Sequence, residues 1–136
     1  MPPLTRWLVK AALLYFLAAL LMGAAMQLPL AARVPLLGVL WPTYLHLLVM
    51  GWLTQLIFGV ALWLFPRYTA EKPRGDERLG WAAFVLLNAG LLIRLVAEPR
   101  RALGVHEPWL LFASAAAQLL AAWAFVANVW PRVRER

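Results

Sequence analysis

The chain contains no cysteine. That excludes disulfides, thiolate metal sites, iron–sulfur clusters and haem attached covalently through cysteine. Histidine is nearly as scarce: His46 and His106 are the whole supply in 136 residues, so one copy cannot build a three-histidine copper site. Acidic residues number six against thirteen Lys and Arg, and none lies in the middle of an apolar run. Glu98 and Glu107 stand at the edges of such runs. A proton or ion transporter needs carboxylates near the membrane midplane, so that class is not expected. No Gly-rich phosphate loop and no serine–histidine–acid set is present, and the expectation is a protein that is not an enzyme.

What is abundant is hydrocarbon. Hydrophobic residues make up 64% of the chain, and the mean hydropathy is +0.73. Soluble domains run nearer 45–50% apolar, and a small domain has too much surface for its volume to hide such an excess. The bilayer must cover it. A span needs about 20 mostly apolar residues, and four stretches qualify: residues 7–28, 41–65, 79–97 and 108–130. Proline marks their limits, with Pro29, Pro42, Pro66, Pro99, Pro108 and Pro131 at or beyond span ends. A proline inside a helix loses a backbone bond and clashes with the preceding turn. The runs are continuous rather than alternating, which argues against a β-barrel. The first is long enough for a full span and three more follow it, so it reads as a span and not as a cleaved signal peptide.

The net charge of +7 resembles that of a nucleic-acid binder, but the basic residues cluster at span ends, where lipid headgroups are sufficient partners and no nucleic acid is needed. Arg6, Lys10, Arg67, Lys72, Arg74, Arg78, Arg132, Arg134 and Arg136 fall on one side; Arg33, Arg94, Arg100 and Arg101 fall on the other. That asymmetry places both termini and the charged loop Arg67–Arg78 in the cytoplasm, in a cytoplasmic (inner) membrane. Trp7, Trp63, Trp81 and Trp130 then mark the inner interface, and Trp41 and Trp109 the outer one. Short connections favour antiparallel neighbours, so the expected fold is all-α: one membrane domain, a four-helix bundle running up-down-up-down.

His46 is the sharpest feature, an ionisable group a little below the outer surface. Such residues are rare in membranes, and a neutral imidazole suits haem iron. The plainer reading is a histidine bonding a neighbouring helix or a headgroup. At 100° per residue His46, Met50, Leu53, Ile57 and Val60 form one stripe, so His46 and Met50 would share a cofactor-facing side. Gly51, Gln55 and Gly59 form the opposite stripe, where small residues admit a close neighbour and Gln55 can bond across. His106 lies in an outer loop on the same side as His46, and the two could bracket one site. Arg94 and Glu98 are spaced for an i,i+4 ion pair, with Arg94 reaching towards the interface. Alternatively Arg94, Arg100 and Arg101 form a basic rim able to hold haem propionates. Asn88, Gln118 and Asn128 are expected to form interhelical hydrogen bonds.

The run Thr43–Arg67 carries His46, then Met50-Gly51-Trp52, then Phe58-Gly59, then Phe65-Pro66-Arg67. In this pattern it resembles the second helix of subunit I of the haem–copper oxidase superfamily, with the flavour of cbb3-type oxidases, nitric oxide reductases and NnrS-like proteins. The resemblance implies that His46 ligates a low-spin haem of b type. The later helices of subunit I, which carry the remaining haem and copper ligands, have no counterpart here. The resemblance therefore implies an accessory membrane protein of respiratory electron transfer, beside a nitric oxide reductase or terminal oxidase, whose partner is a larger respiratory subunit or a second copy. The other expectations are a cofactor-free structural or assembly factor and a free-standing homodimer that binds haem or quinone.

Overall fold

The computed structural model describes residues 1–29, 33–65 and 76–133. The described residues are overwhelmingly helical, with no strand among them. Four helices are long and apolar enough to cross a bilayer: α1 (Pro3–Met26), α2 (Trp41–Leu64), α3 (Glu77–Ala102) and α4, whose α-helical part is Pro108–Val129. A single turn, Pro35–Gly38, precedes α2. The solvated hairpin expected between the second and third spans lies mostly outside the described residues.

Only 17–33% of the most apolar window of each helix is buried inside the protein. The remaining apolar surface points outward, as Leu14, Leu21, Ile57, Phe112 and Trp123 all do. In water that surface would drive aggregation; in a bilayer it is solvated by acyl chains. The tryptophans expected at the two interfaces, Trp7, Trp41, Trp63, Trp81, Trp109 and Trp130, are all exposed.

α1 packs along α2, and α3 along α4. The small residues of α2 set the first approach. A methyl group on Gly51 would lie 2.7 Å from the Tyr15 ring, and one on Gly59 would lie 3.1 Å from Leu8. Gly90 does the same for the second pair, because a methyl group there would lie 2.9 Å from Gln118 and 3.0 Å from the Ser114 carbonyl. The two pairs meet in a core of Leu8, Phe58, Leu62, Leu87, Leu91 and Ala121. Phe58 and Phe125 stack face to face within it, with centroids 3.8 Å apart.

Two findings depart from the sequence reading. First, α3 does not stop at Pro99 but runs through it to Ala102. Proline there forfeits one backbone bond near the helix end, and the following turn closes by bonds from Leu103 to Pro99 and from Val105 to Arg100. Gly104 makes that closure possible with φ +92°, a conformation open to glycine. Arg100 and Arg101 therefore sit on the last helical turn, where the terminal carbonyls favour cations.

Second, α2 is not a uniform α-helix. Its middle, Leu47–Thr54, is π-helical. The buried positions of α2 include Thr43, Leu47, Gly51, Gln55 and Gly59, spaced by four. In a pure α-helix each four-residue step drifts by about 40°, which would carry this row off its face. The wider π turns absorb the drift. The glycine stripe thus packs on α1 as expected, but Gln55 makes no bond across the contact: both its amide atoms are buried without a partner among the described residues. The α1 side chains that meet the flanking glycines, Tyr15, Leu8 and Val9, present carbon there.

Candidate functional site

His46 closes the last α-helical turn of α2 before the π segment, a type of distortion that recurs at functional sites. Its Nδ1 lies 2.9 Å from the Pro42 carbonyl and 3.0 Å from Glu98 Oε1 on α3. Both neighbours accept, so Nδ1 carries the proton and is shared between them. Nε2 has no partner among the described residues and is not among the buried unpaired atoms. The His46 side chain is 32% exposed, while that of Glu98 is only 10% exposed.

The same Glu98 oxygen accepts from Arg94 Nη1 at 3.0 Å. Arg94 Nε donates to Ser114 Oγ on α4 at 3.1 Å, and Ser114 donates back to the Gly90 carbonyl at 2.8 Å. Gln118 Nε2 also donates to Ser114 Oγ, at 3.1 Å. The result is a chain of polar contacts, His46–Glu98–Arg94–Ser114–Gln118, that links α2, α3 and α4. It forms because Gly90 lets α4 come close enough for Ser114 to reach the α3 backbone. Thr43 is buried one turn before His46, and neither its Oγ1 nor Glu98 Oε2 has a hydrogen-bond partner among the described residues.

Of the residues singled out from sequence, His46, Arg94, Glu98 and Gln118 belong to this chain. Arg94 does not reach for the interface; its side chain turns inward and is 16% exposed. Arg100 is paired with Glu107 at 3.1 Å. Arg101 is exposed and lines a cleft of about 430 Å³ with Pro42, Arg94, Glu98, Ala102 and Leu111. Met50 packs against the apolar core, and its sulfur accepts from Thr54 at 3.7 Å. His106 is exposed between α3 and α4 and neither joins the polar chain nor lines the cleft. Among the described residues no three His, Asp or Glu side chains converge on a point suited to a metal ion.

Sequence reasoning paired Glu98 with Arg94 but missed its contact with His46, and it missed Ser114 altogether. The first was within reach: His46 lies one turn from the start of α2 and Glu98 one turn from the end of α3, so the expected antiparallel arrangement would set them side by side. Of the amides Asn88, Gln118 and Asn128, only Asn128 bonds directly across to another element among the described residues, donating to the carbonyl of Asp76, the N-cap of α3. Asn88 bonds its own helix at Phe84, and Gln118 reaches α3 only through Ser114.

No family model, curated protein or solved structure matches the chain. The functional reading therefore rests on this geometry and on the resemblance in α2.

Proposed function

We propose that the chain is a non-catalytic membrane protein of respiratory electron transfer, an accessory subunit to a nitric oxide reductase or terminal oxidase, that offers His46 Nε2 as an axial ligand to a b-type haem. The observation that carries this reading is the Nδ1 contact with Glu98. A histidine that ligates a metal commonly gives its other ring proton to a carboxylate or carbonyl, which sets the tautomer and raises the basicity of the ligating nitrogen. His46 has both acceptors on one side and an uncommitted nitrogen on the other. Haem, when bound, supplies one-electron redox chemistry. The residues present suit one axial ligand and one wall, since Leu45 and Val49 beside His46 are exposed. The second wall must come from a larger respiratory subunit or from another copy.

The test is the visible spectrum of the detergent-solubilised protein, oxidised and reduced. A stoichiometric b-type spectrum that disappears in His46→Ala is expected. A preparation that stays colourless after haem supplementation removes the haem and favours a cofactor-free assembly factor. One observation supports that second reading: the polar contacts from His46 to Gln118 also serve as a staple between helices. Co-purification with a large respiratory subunit separates the accessory role from a free homodimer.

The same proposal includes an up-down-up-down bundle with both termini in the cytoplasm. Contacts such as Gly23 with Tyr44 and Gly59 with Leu8 support antiparallel neighbours, and the Lys/Arg asymmetry supports the orientation. A reporter fused after Arg136 should read as cytosolic and one inserted near Leu103 as external. The reverse pattern would overturn the orientation.

A further inference from the structure

The cleft beside the polar chain has a chemistry of its own. It is lined by Pro42 of α2, by Arg94, Glu98, Arg101 and Ala102 of α3, and by Leu111 of α4. Its volume of about 430 Å³ lies within the range of small-molecule sites, about 300–1,000 Å³. Arg94 commits Nε to Ser114 and Nη1 to Glu98. Its Nη2 has no partner among the described residues and is not among the buried unpaired atoms. Arg101 is exposed and makes no ion pair among the described residues. Because Arg94 offsets Glu98, the lining keeps one uncompensated positive charge, that of Arg101. The other walls are apolar.

Depth identifies what can reach this charge. Trp41 and Trp109 open the first turns of α2 and α4, and both are exposed. Exposed tryptophan at helix ends marks headgroup level, so this mouth faces lipid phosphates rather than bulk solvent.

We propose that the cleft binds the phosphodiester of an anionic phospholipid, held by Arg101 and by Nη2 of Arg94, with an acyl chain leaving across Leu111 and Ala102. Guanidinium groups match phosphate oxygens in shape as well as charge, and a tethered hydrocarbon chain uses the apolar wall that a free ion would leave wet. The site does not require the haem reading: His46 does not line it, although its two Nδ1 partners, Pro42 and Glu98, do. It also gives the expected basic rim a different occupant. With Arg100 held by Glu107 and Arg94 largely committed, little remains to clamp two propionates.

The test uses the full chain, delipidated in neutral detergent and shown to be colourless, followed by native mass spectrometry and thermal unfolding. Phosphatidylglycerol, phosphatidylcholine and inorganic phosphate are added separately. One phosphatidylglycerol per chain is expected to be retained at roughly tenfold lower concentration than phosphatidylcholine, which offers the same phosphodiester but adds a choline cation that the uncompensated charge of Arg101 repels. Arg101→Gln should erase that preference. Arg6→Gln, at the far end of the bundle, should leave it intact. Equal retention of the two lipids would overturn the proposal. So would an equal loss in both variants, which would show diffuse surface charge. Stabilisation by inorganic phosphate matching that by the lipid would reduce the site to a simple anion hole and would also overturn it.

Discussion

At the end of the bundle that holds Thr5, Leu62, Asp76 and Arg132, the polar bonds between helices run to backbone. Asn128 donates to the Asp76 carbonyl, Arg132 donates to the carbonyls of Leu62 and Phe65, and the Asp76 side chain caps α3 at the Arg78 N–H. At the opposite end the helices are joined through side chains, from His46 through Glu98 and Arg94 to Ser114. The difference has a physical meaning. The Arg132 bonds complete carbonyls at the end of α2, and the Asp76 side chain completes an N–H at the start of α3, groups that hydrocarbon would leave unsatisfied; these are accounted for by folding alone. A side-chain network at the other end needs a further reason, because polar groups in a membrane are costly unless used. Unmet groups occur at both ends, Thr5 Oγ1 and Asn128 Oδ1 at the first and Glu98 Oε2 at the second, all buried without a partner among the described residues; what sets the second apart is that His46 Nε2 and Arg94 Nη2 keep bonding capacity without being buried.

The largest effect that would test this contrast is expected from Glu98→Gln. Glu98 Oε1 is the shared acceptor for His46 and Arg94, and the Arg94 and Glu98 side chains are 16% and 10% exposed. Removing one member of a buried ion pair strands the other and costs about 3–5 kcal/mol. Steric-trap or denaturant unfolding in detergent should show a loss at the upper part of what a partly exposed network allows, about 3 kcal/mol. The double change Arg94→Met with Glu98→Leu should recover most of it, since well-packed apolar replacements of a buried pair are often neutral. If Glu98→Gln unfolds like the unaltered protein, the His46 end is no more tightly coupled than a surface pair, and the contrast between the ends fails.

The architecture was legible because span length is a blunt signal. About 20 apolar residues cannot be arranged otherwise in a bilayer, and four helices long and apolar enough to span one are observed, although α3 runs on to Ala102, past its expected end at Ala97. Proline was a good boundary marker except at Pro99, where its missing N–H falls so near the end of α3 that little is lost. The π segment of α2 left only a trace, the four-residue spacing from Thr43 to Gly59, which a search at 100° per residue spreads over several faces. That search also grouped Met50 with His46, whereas Met50 faces the core. The partners of the site were the hardest to read. Ser114 is an ordinary small residue in sequence and gains its role only because Gly90 brings its hydroxyl within reach of α3 and of Arg94. Gln55 shows the converse: a polar residue on a glycine stripe invites an interhelical bond, but the facing side chains of α1 offer no acceptor.

A smaller effect, at the other end, sharpens the comparison. Sequence reasoning counted Arg132 as one more cytoplasmic charge, yet it is 1% exposed and folded onto the end of α2. It lies one residue after Pro131, in a short 3-10 turn that ends α4. Its bonds to Leu62 and Phe65 place a cation on the terminal carbonyls of α2, where the helix dipole favours it. Arg132→Met keeps much of the side-chain volume and removes the donors. The expected cost is about 2–3 kcal/mol, the value of charged hydrogen bonds to carbonyls that would otherwise be buried unmet. Because the two networks lie at opposite ends of α2 and share no partner among the described residues, the cost should add to that of Glu98→Gln within about 0.5 kcal/mol. The haem spectrum proposed for His46 and the lipid preference proposed for Arg101 should both survive Arg132→Met. A strongly non-additive double variant would mean that α2 transmits strain from one end to the other through its π turns, and the two ends could then no longer be treated as separate devices.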